Sequence, residues 1–377
     1  MIPFNRPYQA PRQLEYLAAV GSSTHHCGDG PMTARASAML HGLHPNAAGV
    51  LLTTSCTHAL ELAALLLNIS AGDEVIVPSF TFVSTANAFA LRGATIRFAD
   101  IDPETLGVDP NSVARLISER TKAIVPVHYG GIACDMPELR RLADRVGAAI
   151  VEDNAHGLFA SQNGVALGTQ GNMSTLSFHE TKNISAGEGG ALVINDSRLV
   201  EQAEIAREKG TNRSQFFRGM VDKYTWISLG SSWLPSEYTA ACLVAALEHA
   251  EVTQASRHHA WSRYMTELSP WAAMHGVRLP LSPSGSRHPA HVFYALMPDL
   301  ATRSRFIAHM TERGVRTVFH YLPLDQSPAG LRLSSGSDAC PVTHEVSDRL
   351  VRLPLYAMIE DGTIDQIIAA IKEFDAW

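Results

Sequence analysis

The sequence predicts an α/β fold, with a large unit built on a mainly parallel sheet and a smaller α+β unit after it. Three observations carry this. Short β-rich apolar runs alternate with helical stretches between residue 47 and about 195, the pattern of a parallel sheet with helices on both faces. The run 123–127 is apolar throughout, as a strand buried on both faces must be. Beyond a polar stretch at 207–224 the alternation stops, and a long helical region is followed by mixed strands and helices.

Taken in order, residues 50–52 form a strand that leads into a helix over 57–68. A strand at 74–78, a helix at 84–92 and a strand at 95–100 follow. The apolar strand 123–127 precedes a helix at 136–146, and 148–151 and 192–194 are further strands. Helical periodicity resumes over 236–268. The remainder holds a strand at 291–296, a helix at 303–314, a strand at 317–321 and a last helix at 363–374. The division falls between 1–250 and 251–377. Ligands of such sheets gather beyond the carboxyl ends of the strands, so the chemistry is sought there.

Composition narrows the function classes. The chain has 377 residues, enough for more than one domain. With 30 basic against 37 acidic side chains its net charge is −7, which argues against a nucleic-acid partner, since that affinity rests on basic groups meeting phosphates. The first ten residues carry Pro3, Arg6 and Pro7 and no apolar core, unlike a secretory signal. The longest apolar stretch, near 60–67, contains Glu61 and falls far short of the roughly 20 residues that span a bilayer. Cys27, Cys56, Cys134, Cys242 and Cys340 are scattered and odd in number, as in a cytoplasmic protein with reduced thiols. They form no CxxC pair, and the histidines show no HExxH spacing, so no metal is expected.

Four places carry candidate chemistry. Asp153 ends the strand of Val151-Glu152-Asp153, with His156 three residues on. A carboxylate there can hold a pyridine nitrogen protonated; it can equally cap a helix or bind a metal. Lys182 follows Ser177-Phe178-His179-Glu180-Thr181 and precedes Gly187, Gly189 and Gly190. An imine-forming lysine needs a partly desolvated site with room for an adduct, and glycines leave that room; an exposed loop lysine is the plain alternative. Ser55, Cys56 and Thr57 open the helix after the first strand, where hydroxyls and free amides make an anion site or simply a cap. Phe82 follows a strand end, placed either to stack on a planar ring or to fill core. No GxGxxG follows a strand, and neither GxxxxGK[ST] nor GxSxG occurs, which disfavours nicotinamide, P-loop and serine-hydrolase chemistry.

In this order and spacing, the Ser55–Thr57 cup, Phe82, Asp153-x-x-His156 and Ser177-x-x-x-x-Lys182 resemble the sugar aminotransferases of the DegT/DnrJ/EryC1/StrS family. The resemblance runs from Ile2-Pro3-Phe4-Asn5 through Gly72-Asp73-Glu74-Val75-Ile76-Val77-Pro78 to Phe319-His320-Tyr321-Leu322-Pro323-Leu324. It implies an aspartate aminotransferase-like (type I) fold and pyridoxal 5′-phosphate as cofactor. Lys182 is then the Schiff-base lysine, Asp153 the partner of the pyridine nitrogen, and His156 a neighbour of the ring hydroxyl. Ser55, Cys56, Thr57 and Ser177 hold the phosphate, and Phe82 stacks on the ring.

The resemblance also implies a homodimer with shared active sites, in which an Asn of the partner reaches the phosphate. Here Ser232, in Gly230-Ser231-Ser232, stands at that place. A second departure is Asp325, where relatives commonly have His. The runs 177–196, 208–219 and 222–226 are similar to the branch of the family that converts dTDP-4-keto-6-deoxy-D-glucose to dTDP-4-amino-4,6-dideoxy-D-galactose, with L-glutamate as donor. Arg213, Lys223, Tyr224, His320 and Tyr321 are the candidate substrate contacts. Three rivals stand beside this: a dehydratase of the same scaffold, disfavoured because Lys182 is present; a nicotinamide-dependent oxidoreductase; and a non-catalytic nucleotide-sugar-binding homologue.

Overall fold

The computed structural model describes residues 1–337 and 339–375, and its centre is a seven-stranded sheet. In chain order the strands are β1 (Gly49–Thr53), β2 (Glu74–Pro78), β3 (Thr95–Ala99), β4 (Thr121–Ile124), β5 (Ala149–Asp153), β6 (Met173–Ser177) and β7 (Gly190–Ile194). Their spatial order is β1-β7-β6-β5-β4-β2-β3. Pairing is parallel from β3 through β6, while β7 runs antiparallel to both β6 and β1. Side chains alternate between two buried faces, as a strand's period of two dictates. On β7, Leu192 and Ile194 join Leu60, Leu62 and Ala63 of the helix Cys56–Leu66 on one face. Ala191 and Val193 meet Leu40, Leu243 and Val244 on the other.

The alternating pattern expected from the sequence is present, and within the seven-stranded sheet β6 is the strand it did not reveal. Its sequence, Met-Ser-Thr-Leu-Ser, has no apolar run, yet Ser174 and Thr175 are fully buried between β5 and β7. Space explains Ser174: a Cβ added at Gly168 would stand 2.7 Å from its Oγ, so a larger side chain has no room there. The region 236–268 is two helices, Glu237–Glu248 and Ala250–Met274. The helices Gln13–Gly21 and Pro31–Leu43, which the periodicity did not single out, pack on the first of these.

A second core is built by Tyr264, Phe293, Phe306, Met310, Ile364 and Ile367. Beside it lies an antiparallel sheet of β8 (Tyr294–Leu296), β9 (Val318–Phe319) and β10 (Leu350–Arg352), with β10 in the middle. The first residues join this part. Ile2 N–H donates to Gly314 O at 2.6 Å, and Arg316 N–H donates to Ile2 O at 3.0 Å. A mixed cluster of Phe80 and Tyr129 with Tyr294, Leu296 and Leu350 seats the small sheet against the carboxyl ends of the large one. That contact sets β8 and β10 over the crevice where ligands of parallel sheets bind.

Glu237 shows how the helical layer is tied down. It is 1% exposed and accepts from Met32 N–H (2.7 Å), Thr33 N–H (2.9 Å) and the Thr33 hydroxyl (2.5 Å). These amides belong to the first turn of Pro31–Leu43 and have no intrahelical partner. Glu237→Ala strands them in the interior, which costs about 2–3 kcal/mol. The expected result is a lower midpoint in urea-induced unfolding, with Glu237→Gln intermediate because it keeps an acceptor.

Candidate active site

The crevice is a cavity of about 410 Å³ lined by both parts of the chain. Ser55, Cys56, Thr57, Phe82, Asp153, His156, Ser177, Lys182, His320 and Tyr321, all singled out by sequence, border it. Asp153 reaches it because residues on β5 alternate. Glu152 points the other way and is fully buried, held by His128 Nε2 (2.8 Å) and by the amides of Gly168 (2.9 Å), Gln170 (2.8 Å) and Gly171. Burial pushes the Glu152 carboxyl up, but His128 and those amides outweigh it, so it lies below the ordinary range. The neighbouring carboxylates therefore divide the work: one anchors the strand, the other faces the cavity.

Asp153 accepts from the Thr85 hydroxyl (2.8 Å) and the Ala155 amide (3.2 Å). Burial raises its pKa, and these donors only partly offset the rise. A cation placed against it, such as a pyridinium N–H, would restore the charged form. Lys182 sits on a turn pinned from two sides. Its own amide donates to His179 O at 2.9 Å. The next residue, Asn183, donates to Pro289 O (2.6 Å) and Gln254 Oε1 (2.9 Å) and accepts from His291 Nδ1 (2.8 Å). Burial lowers the Lys182 ammonium to about 8, so far more of the amine is free near neutral pH than in an ordinary lysine, although the ammonium still predominates there.

The anion end of the cavity is the start of Cys56–Leu66. Ser55 Oγ caps the helix by accepting from His58 N–H at 3.1 Å, while the amides of Cys56 and Thr57 stand in the unpaired first turn. Thr57 and Ser84 hydroxyls lie 2.8 Å apart beside it. The Cys56 thiol is pushed by burial up to about 12 and is not a nucleophile. β7 passes so close that a Cβ on Gly190 would lie 2.3 Å from the Ser55 carbonyl carbon. A hydroxyl-and-amide cup, an acidic ring partner and a free amine around one cavity fit a phosphorylated pyridine aldehyde. Phe82, 59% exposed at the rim, offers a ring face to such a group.

The structure adds residues that the sequence did not mark. His291 and Arg352 line the cavity, and the Tyr129 hydroxyl shares a hydrogen bond of 3.0 Å with His320 Nδ1. His156, His291 and His320 form a wall, with ring centres 4.4 and 6.3 Å from that of His156. Burial first, then the charges of Lys182 and Arg352, hold all three well below the ordinary histidine value, so they are neutral. His156 Nδ1 accepts from Gly130 N–H (3.2 Å), which leaves Nε2 as a donor. Only proximity in space signals these residues, since they come from three distant stretches.

Four expected contacts lie outside the cavity of their own chain. Ser232 forms a bridge with Glu208, and Arg213 pairs with Glu208 at 3.1 Å and stacks on Phe217. Lys223 and Tyr224 are exposed. Asp325 also faces away: it accepts from Ser79 Oγ (2.5 Å) and meets His344 Nε2 (2.8 Å). It thus ties the loop after Tyr321 to the end of β2, and its departure from the pattern of relatives leaves His320 and Tyr321 at the cavity.

A family model of the DegT/DnrJ/EryC1/StrS aminotransferase family matches residues 12–372. The chain belongs to that family. It is 31% identical over 327 residues to the spore coat polysaccharide biosynthesis protein SpsC of Bacillus subtilis, covering 85% of this chain and 83% of that one. It is 33% identical over 318 residues to the erythromycin biosynthesis sensory transduction protein EryC1 of Saccharopolyspora erythraea, covering 83% and 82%. Among solved structures, the aminotransferase TlmJ of Streptoalloteichus hindustanus superposes with a TM-score of 0.88 at 28% identity, covering 99% and 98%. The fold is the type I fold of pyridoxal-phosphate enzymes, and this sugar aminotransferase family uses that cofactor. No helix among the described residues is long and apolar enough to cross a membrane, and no group of three or more metal-ligating side chains occurs among them.

One measurement checks the electrostatics of Lys182 in the cofactor-free protein. Only the unprotonated amine attacks an aldehyde. The rate of imine formation with added pyridoxal phosphate is therefore expected to rise with pH through about 8 and level off above it. A midpoint near the ordinary lysine value of 10.5 would contradict the effect of burial.

Proposed function

We propose that this protein transfers the amino group of L-glutamate to dTDP-4-keto-6-deoxy-D-glucose, giving dTDP-4-amino-4,6-dideoxy-D-galactose and 2-oxoglutarate, as a cytoplasmic homodimer. The observation that carries the chemistry is Lys182. Its amine is partly buried, is brought near neutrality by that burial, and faces the same cavity as Asp153 and the Ser55–Thr57 cup. The choice of sugar rests on the runs 177–196, 208–219 and 222–226. The similarity to SpsC, a spore coat polysaccharide biosynthesis protein, agrees with a sugar substrate.

Pyridoxal phosphate supplies a carbonyl for amine exchange and a ring that stores electrons during proton transfer. Ser55, Cys56, Thr57 and Ser177 would hold its phosphate with hydroxyls and first-turn amides. Asp153, backed by Thr85, would keep the ring nitrogen protonated, and His156 would offer its Nε2–H at the ring's edge. Lys182 would then take a proton from the substrate carbon and deliver it to the carbon on the other side of the transferred nitrogen. An amine poised near 8 does both at neutral pH. The neutral histidines add hydrogen-bonding groups without adding charge.

Dimerisation is supported by the surface. Phe217, Met220, Tyr224, Trp226, Ile227 and Leu229 are all at least half exposed in one short stretch, and apolar surface so concentrated marks an interface. In that arrangement Ser232 would meet the partner's cofactor phosphate, and Arg213, Lys223 and Tyr224 would meet nucleotide or partner. A different nucleotide keto sugar is the alternative within the same chemistry.

An absorbance spectrum of the purified, cofactor-loaded protein tests this directly. L-Glutamate is expected to bleach the visible band, and dTDP-4-keto-6-deoxyglucose to restore it. Bleaching without restoration by this sugar moves the substrate to another keto sugar, and no band even with added pyridoxal phosphate refutes the aminotransferase reading. Lys182→Ala and Lys182→Arg are each expected to fold normally by circular dichroism and to lose multiple-turnover transamination. Substantial turnover by either would overturn the role of Lys182.

A further inference from the structure

His291 lies just before β8, and its surroundings fix both its place and its polarity. Ala290, the residue before it, has a φ of 49°, in the left-handed region that an alanine adopts only when its neighbours hold it there. They hold it from three sides. Arg257 donates to the carbonyls of Ala290 (3.0 Å) and His291 (2.7 Å). Asn183 and Gln254 donate to Pro289 O at 2.6 and 3.2 Å. Ala290 N–H donates to His288 Nδ1 at 3.1 Å. The imidazole that this clamp brings to the wall of the cavity is 7% exposed.

Hydrogen-bond partners decide which ring nitrogen carries the proton. Pro289 O can only accept, so the Asn183 nitrogen faces it and Asn183 Oδ1 faces His291 Nδ1 at 2.8 Å. Nδ1 is therefore the protonated nitrogen. Burial keeps the ring neutral, which leaves Nε2 a bare acceptor, and no hydrogen bond among the described residues reaches it. His156 is the reverse case, since its Nδ1 accepts from an amide and its Nε2 donates. Two rings with centres 4.4 Å apart thus present opposite polarity. Few groups in the reaction can donate to a bare nitrogen. The carboxylates of L-glutamate and the cofactor phosphate only accept, and the pyridine N–H is matched by Asp153. Lys182 bears on the ring through its charge, without a hydrogen bond. The keto sugar does have donors, and its hydroxyl closest to the chemistry is on the carbon next to the keto carbon. In a 4-keto-6-deoxyhexose that is the hydroxyl of the third carbon, because the fifth carries the methyl group. We infer that His291 Nε2 accepts a hydrogen bond from this hydroxyl and so selects the sugar without bearing on the amino donor. Asn183 is a positioning residue, acting through the ring whose tautomer it sets.

This inference rests on the sugar aminotransferase reading, and the test separates the two. The polarity is read without turnover, by NMR of cofactor-loaded protein with isotope-labelled histidine ring nitrogens. The His291 signals, identified by their loss in His291→Phe, are expected to show a protonated Nδ1 and a bare Nε2. Asn183→Leu is expected to spread them over both tautomers. Specificity is read from the two half-reactions measured apart. At low sugar concentration the aminated wild type is expected to react roughly tenfold faster with dTDP-4-keto-6-deoxyglucose than with the analogue lacking the hydroxyl on the third carbon, which leaves a buried acceptor unpaired. His291→Phe is expected to lose that preference, and to slow the sugar half-reaction roughly tenfold more than the L-glutamate half-reaction. His291→Gln, which keeps an acceptor, is expected to recover part of the preference. An unchanged cofactor band reports that each variant is folded. A protonated Nε2, a wild type indifferent to the missing hydroxyl, a His291→Phe variant that keeps the preference, or equal loss of both half-reactions overturns the inference. A wild-type protein that L-glutamate does not bleach overturns the function reading, and the sugar assignment with it, whatever the NMR signals show.

Discussion

The site depends on the approach of β7 to the turn after β1. Gly190 lies opposite Thr53 in the β1–β7 pairing, and no side chain fits between it and the Ser55–Cys56 peptide. That closeness sets the hydroxyl-and-amide cup at the start of Cys56–Leu66 against the loop that carries Lys182. The loop leaves β6 at Ser177 and re-enters the sheet at Gly190, so both of its ends are held by neighbouring strands. The distance between cup and amine is therefore a property of the sheet, not of a flexible loop.

Around this frame the electrostatics are arranged by burial. Two adjacent carboxylates on β5 are sent to opposite faces. Glu152 is saturated by donors and anchors the chain, whereas Asp153 retains capacity for one more cation. Lys182 and the histidine wall are all shifted toward their neutral forms. A cavity of mostly neutral groups can admit both a charged amino acid and a sugar, because neither meets a fixed charge of the wrong sign at the reacting centre. Binding two unlike substrates in turn calls for that restraint.

The second part of the chain completes the site. Asn183 is tied to Pro289, Gln254 and His291, and the Phe80–Tyr129 cluster is tied to Tyr294 and Leu350. The N-terminal segment crosses to the same part through Ile2 and brings Phe4 to Arg352. Much of this was legible beforehand. The parallel sheet, the cup, Asp153, His156, Ser177 and Lys182 all fall in short local patterns, where strand ends and helix starts leave a mark in the sequence. β6 was not legible, because Ser174, crowded by Gly168, and the buried Thr175 stand where an apolar run would ordinarily appear.

The sequence by itself determined the class of fold and most of the residues that line the large-sheet side of the cavity. Alternation of strand and helix forces a parallel sheet, and the carboxyl ends of its strands carry the reactive groups. Only the tertiary structure decided the substrate end. His320 and Tyr321 were marked by the sequence, but Tyr129, His291 and Arg352, which surround them, are separated along the chain by tens of residues and have no local spacing in common. They meet because the small sheet packs across the crevice and buries Leu296 and Leu350 against Phe80 and Tyr129. That apolar contact acts without regard to sequence distance, so its consequence for chemistry became visible only in three dimensions.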